Sequence, residues 1–114
     1  MQTQMQPKLF EIKAAAAGPE DILMYALGDF QSRGHLLSGR ELALDRLHAA
    51  FVRACAIFGI ELPSDKEIAA ALSAMGARVD ELPDYAAKRP FRITIPEPLA
   101  IASAEIFLKK KRLL

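Results

Sequence analysis

Two helix-start signals, each followed by a glycine stop, constrain the fold of this chain more than any other feature. Ser38-Gly-Arg-Glu41 and Ser64-Asp-Lys-Glu67 both match the capping box, in which a serine and a glutamate three residues later satisfy each other's backbone N–H groups. The glycines expected to end the two helices are Gly59 and Gly76. The sequence therefore predicts two consecutive helices, and the strand-like residues that follow them predict a small β element.

Apolar periodicity predicts four helices. A first helix is expected from Pro19, which suits the first helical position, to Gly34. The two capping boxes open the second and third, and a fourth is expected from Pro98 into the basic tail KKKRLL. The apolar residues of the long second helix recur at steps of three and four, which places them on one buried face: Leu44, Leu47, Phe51, Ala54 and Phe58.

Alternation with a period of two predicts the strands. In 91–95, Phe91, Ile93 and Ile95 fall on one side of the strand, whereas Arg92 and Thr94 fall on the other. Residues 78–82 are predicted to pair with this strand as a hairpin, and 8–13 are expected to offer a third strand. The predicted fold class is α+β, mainly helical, with about four helices and a small antiparallel sheet. An unpaired edge at 8–13 could pair with a copy of itself, which leaves a homodimer open.

Length and composition exclude several classes of protein. The 114 residues predict one domain, with 1–7 frayed and 38–96 as its core. One cysteine allows no intramolecular disulfide, and no apolar run reaches the roughly 18 residues of a membrane-spanning helix. The N-terminal residues lack the charged and then apolar pattern of a secretory signal. We therefore expect a cytoplasmic protein that contacts no membrane.

The residues that could carry chemistry do not form a recognisable catalytic motif. His35 and His48 are far apart in sequence with no further Cys or His beside either, so a metal site lacks ligands. Cys55 follows His48 by two helical turns, but the alanines beside it favour a packed core residue over an exposed nucleophile. There is no glycine-rich phosphate loop. The sequence predicts a protein that is not an enzyme and needs no metal or cofactor.

The stretch from Asp45 to Ile95 resembles a winged-helix module. It is similar in particular to the C-terminal module of phage- and plasmid-type primase–helicases, which runs helix, short link, helix with a glycine stop, and wing hairpin. The matching residues are Leu72 and Gly76 at the stop and 78–95 for the hairpin. The resemblance implies binding to nucleic acid, with the helix after Ser64 in the major groove.

The residues of that helix depart from this expectation. Base readout needs Arg, Lys, Asn or Gln on the exposed face, whereas Lys66 stands there between Asp65 and Glu67. The whole chain has a net charge of only +1, although residues 78–114 are its more basic part. Contact with the phosphate backbone, with low sequence specificity, is therefore the form of binding we expect. Its candidate residues are Lys66, Arg78, Lys88, Arg89, Arg92, Lys109, Lys110, Lys111 and Arg112.

A second hypothesis is a protein-interaction module, an inhibitor or accessory subunit that docks on a larger protein through its helices. Ala70, Ala71 and Ala74 would let a partner helix approach the third helix closely. Arg46 and Arg53 recur about seven residues apart on the second helix, in step with Arg40. They would face an acidic partner or phosphates, or else form a solvated stripe with Glu41 and Asp45 as partners. Both hypotheses stay open from the sequence.

Overall fold

The computed structural model describes residues 18–83 and 91–113 of the chain. In chain order, the elements are α1 (Pro19–Ser32), β1 (Glu41–Ala43), a 3₁₀ turn (Leu44–Leu47), α2 (His48–Phe58), α3 (Asp65–Ala74), β2 (Arg78–Glu81), β3 (Phe91–Thr94) and α4 (Glu97–Leu113). Within these described residues, four α-helices and a three-stranded antiparallel sheet make a mainly helical α+β fold, as predicted.

The sheet has β3 in its centre, with β1 and β2 as its neighbours. Ile93 of β3 lies opposite both Leu42 and Val79 and is fully buried, so the central strand anchors the sheet to the core. The predicted hairpin between β2 and β3 is confirmed. The strand expected at 8–13 lies outside the described residues, and the place beside β3 is taken by β1.

One of the two predicted capping boxes is wrong, and the other is confirmed. Ser38 forms a bridge with Ile95 instead of opening a helix, and α2 begins only at His48. Pairing of β1 with β3 buries Leu42, and this tertiary gain outweighs the local helix signal. At the start of α3, by contrast, the Ser64 hydroxyl accepts from the Glu67 N–H and the Ser64 N–H donates to the Glu67 carboxylate, at 3.2 and 2.9 Å.

The helices α1 and α4 pack closely and antiparallel. Gln31, near the end of α1, donates its Nε2 hydrogens to the Ala100 carbonyl and the Ser103 hydroxyl near the start of α4, both at 2.9 Å. Tyr25, a turn and a half earlier, packs its ring 4.8 Å from that of Phe107. Gly28 lies between these contacts, where a methyl group would come within 2.2 Å of the Phe107 Cβ. A residue without a side chain is thus required there.

One continuous apolar core joins the helices to the sheet. Its largest fully buried side chains include Leu27, Leu47, Phe51, Leu72 and Ile93, which come from α1, the 3₁₀ turn, α2, α3 and β3. The glycine stops at the ends of the helices are confirmed, since Gly59 and Gly76 have φ of 70° and 105°. Among the described residues, none of the helices combines the length and apolarity needed to cross a bilayer.

Candidate binding surfaces

The exposed face of α3 carries few groups that read bases. Lys66 is exposed in its first turn, but Glu67 beside it is held in the cap by Ser64. Further along the helix, Ala70 and Ala74 are exposed, so the side chains on this face are small and uncharged. The third alanine of the predicted interface, Ala71, is half-buried and faces a groove described below. The helix can approach another surface closely, but it offers one cation to a phosphate.

The outer side of the hairpin mixes cations with acids. The Arg78 Nε donates to the Asp80 carboxylate at 3.0 Å, and Arg92 is paired directly opposite Asp80 in the β2–β3 register. Positive charge on these strands is therefore balanced locally by a carboxylate, which weakens their attraction for phosphate. Lys88 and Arg89, predicted for the same surface, lie outside the described residues.

The last turns of α4 carry the densest positive charge of the described residues. Lys109, Lys111 and Arg112 are exposed, and Lys110 is half-buried. Lys110 and Lys111 place their ammonium groups over the rings of Phe58 and Phe107, 6.0 and 5.5 Å from the centroids. All four cations also suit the negative end of the helix dipole. Because α4 has 17 residues and is about 25 Å long, this basic end lies far from the start of α4, where the chain leaves β3.

The arginine stripe predicted along the second helix does not exist, because its members lie on different elements. Arg40 precedes β1, Arg46 is exposed in the 3₁₀ turn, and only Arg53 belongs to α2. Arg53 is engaged inside the protein: its Nε donates to the buried Asp29 carboxylate of α1 at 2.8 Å. Of the two arginines predicted as interface residues, Arg46 is therefore available to a partner, whereas Arg53 links two helices.

Two buried side chains, Tyr25 and Cys55, have raised pKa values. Burial raises the pKa of the Tyr25 phenol, and the negative charge of Asp29 adds to the effect, while Arg33 opposes it. Burial also raises the pKa of the Cys55 thiol. A buried thiol held in its neutral form is a poor nucleophile, so the structure gives Cys55 a packing role.

The two histidines, His35 and His48, lie on different parts of the fold. His35 stacks its ring on Phe30, with 4.7 Å between the centroids, and His48 is exposed at the first position of α2. Within residues 18–83 and 91–113, no three His, Cys, Asp or Glu side chains come together in a group that could hold a metal ion.

The sequence did not reveal an apolar groove of about 640 Å³. Its walls are the start of α1, the middle of α2, the link from α2 to α3, and the first turns of α3. Among the lining residues that the structure describes, most are apolar and Glu67 is the charged one. The signal that could have revealed it is the Ile60-Glu-Leu62-Pro63 link, which places two large apolar residues between helices. Both remain exposed, Ile60 by 41% and Leu62 by 37%.

Comparisons of the chain with protein-family models, with curated proteins and with solved structures give no match. The described residues offer three candidate surfaces: the exposed alanine face of α3, the basic end of α4 and the apolar groove.

Proposed function

We propose that this chain is a small non-enzymatic winged-helix-like module that binds nucleic acid through the phosphate backbone. The observation that supports this is the order of its elements. Two consecutive helices, α2 and α3, are followed directly by the β2–β3 hairpin, and β1 completes the sheet on the other side of β3. That is the order of elements in the winged-helix module which the sequence resembles.

In this proposal, the basic end of α4 supplies most of the contacts with the phosphate backbone. It presents Lys109 and Arg112 exposed, and the nearest acid in sequence is Glu105, one helical turn before Lys109. The face of α3 offers Lys66 alone, and the strand arginines lie beside Asp80. Lys88 and Arg89, in the connection between β2 and β3, would add phosphate contacts. Such an interface attracts the backbone and discriminates little between sequences.

The test is fluorescence anisotropy with a labelled mixed-sequence duplex and the matching single strand over a salt series. We expect binding at about 50 mM salt that weakens steeply as salt rises, because each phosphate contact releases counterions. Replacing Lys109 and Arg112 by alanine should reduce the log–log salt slope by about 1.8 on the duplex.

The matched control replaces two exposed arginines elsewhere, Arg40 and Arg46, by alanine. It removes the same charge, so a general electrostatic effect would change both double variants equally. Absence of binding at about 50 mM salt, or equal loss in the two variants, would overturn the proposal.

A second candidate is docking on a larger protein, as an inhibitor or accessory subunit. The observation that favours it is the groove beside the exposed alanine face of α3, together with the exposure of Ile60 and Leu62 at the rim of the groove. Affinity capture of partners from lysate, with and without nuclease, separates the two candidates. A partner retained after nuclease treatment supports the protein contact, whereas one that is lost supports nucleic acid.

A further inference from the structure

The apolar groove has the size and chemistry of a binding site for apolar side chains. Its volume of about 640 Å³ falls within the range of roughly 300 to 1,000 Å³ typical of ligand pockets. Ile22, Leu23, Phe51 and Ile68 belong to its lining and are themselves buried, so its floor belongs to the packed core. A ligand entering this groove would meet a surface already held in place.

The rim of the groove combines exposed apolar residues with acids. Ile60 and Leu62 stand partly in solvent on the link, with the exposed Glu61 between them. Glu67 lines the groove from α3, and Asp65 lies in the same first turn of that helix. The cation in this turn is Lys66. The link and the start of α3 therefore carry an excess of negative charge.

The basic end of α4 does not neutralise this rim from within the groove. Tyr25, Gly28 and Gln31 of α1 meet α4, whereas Ile22 and Leu23 line the groove. No described residue of α4 is among the lining residues, and Lys110 instead reaches the ring of Phe58 at the end of α2.

We propose that the groove binds a basic amphipathic segment of a partner protein, which inserts apolar side chains between α1, α2 and α3 and sets Lys or Arg beside Glu61 and Glu67. The apolar floor selects the side chains that enter, and the acidic rim selects the charge that flanks them. The acids of the rim disfavour a phosphate backbone, so the occupant that we propose is a protein segment and not nucleic acid. This inference deepens the second candidate function and does not depend on binding of nucleic acid.

The probe is a fluorescein-labelled 16-residue peptide with leucine and lysine at amphipathic helical spacing. Its matched control has glutamate in place of every lysine. We expect the lysine peptide to bind at least about tenfold more tightly than the glutamate peptide, because like charges at a contact are strongly disfavoured. Glu61→Lys should reduce the difference in affinity between the two peptides, because it weakens binding of the lysine peptide and strengthens binding of the glutamate peptide.

Two variants locate the binding site. Leu62→Asp places a charge at the groove rim and should lower affinity for the lysine peptide by about tenfold or more, as loss of a central apolar contact does. Ile101→Asp changes an equally apolar residue, 53% exposed on α4, and should leave the affinity unchanged.

The outcomes that overturn the proposal are distinct. Equal binding of the two peptides excludes charge selection, and equal loss in Leu62→Asp and Ile101→Asp excludes the groove. Gly18 also lines the groove, and residues 8–13, KLFEIK, have the stated chemistry. Peptide binding seen only after deletion of residues 1–17 would identify the chain's own segment as the occupant and overturn the partner proposal.

Failure of this proposal is distinguishable from failure of the second candidate function. If Leu62→Asp still captures a nuclease-resistant partner from lysate with the efficiency of the parent protein, docking occurs on another surface. In that case the groove proposal is overturned and the protein-docking function stands.

Discussion

Arg53 of α2 donates its Nε hydrogen to the Oδ2 of Asp29 on α1 across 2.8 Å. A second guanidinium nitrogen contacts the same oxygen, and the Nε of Arg33 lies 3.3 Å from both oxygens of the carboxylate. The side chain of Asp29 is only 8% exposed. An ionised carboxylate at such a position requires cationic partners, so these contacts explain how α1 carries an acid on its buried side.

Removing one cation from this cluster should destabilise the protein measurably. Arg53→Met leaves the Asp29 carboxylate with Arg33 alone, and we expect the free energy of unfolding to fall by about 1–3 kcal/mol. Combining it with Asp29→Asn should cost less than the sum of the two single changes, with a coupling of at least about 0.5 kcal/mol. Urea unfolding of the four proteins measures this cycle. Arg46→Met, at an exposed site, is the control, and additive effects would contradict the pairing.

Because α1 and α4 pack closely at Gly28, we expect Gly28→Ala to lower the stability of the protein, whereas glycine to alanine usually raises the stability of a helix. In an exposed helix, glycine to alanine stabilises by about 1 kcal/mol. At Gly28 the added methyl would approach the Cβ of Phe107 to 2.2 Å and the carbonyl oxygen of Ser103 to 2.5 Å. We therefore expect Gly28→Ala to destabilise by about 1–3 kcal/mol or more, because two helix backbones must separate. Gly18→Ala, with no atom within 4 Å of the new methyl, should cost less in thermal unfolding.

The capping box of α3 should contribute its usual share of stability. Ser64→Ala removes the acceptor of the Glu67 N–H, and we expect a loss of about 1 kcal/mol in urea unfolding. Ser73→Ala, at an exposed position of the same helix, should change stability by less than about 0.5 kcal/mol. Equal effects of the two changes would mean that the cap is not formed in solution.

Burial of Tyr25 predicts a decline of stability at alkaline pH. Its pKa is raised in the folded protein, chiefly by burial, so the folded state favours the neutral phenol. The resulting stability is complete below the ordinary tyrosine pKa of about 10 and is lost as the pH rises through the higher folded value. Tyr25→Phe removes this contribution, so its stability should fall less steeply between about pH 8 and pH 11. Parallel pH profiles of the two proteins, measured by urea midpoints, would refute the assignment.

The two serine motifs show where local sequence suffices and where it does not. Ser64-Asp-Lys-Glu67 opens a helix as its spacing predicts, because the residues after it have no competing partner along a strand. Ser38-Gly-Arg-Glu41 has the same pattern, yet residues 41–43 pair with β3. The competing interaction joins residues about fifty positions apart, and no local pattern contains it.

The candidate surfaces follow the same division. The basic end of α4 is visible in the sequence as KKKRLL, because neighbouring residues in a chain supply all of its charge. The apolar groove is formed by residues from α1, α2, the link and α3, so its existence depends on how those helices pack. Likewise, Arg53 looks like a surface cation until α1 places Asp29 beside it.

By itself, the sequence determined the fold class, the extents of α1, α3 and α4, the β2–β3 hairpin and the glycine stops, because periodicity and capping act within a few residues. Only the tertiary structure decided that residues 41–43 form a strand, that Gly28 must lack a side chain, that Arg53 is paired and that a groove opens beside α3. Each of these depends on contacts between residues distant in the chain. Such contacts gain their energy from burial in a shared core, which exists only once all the helices have packed.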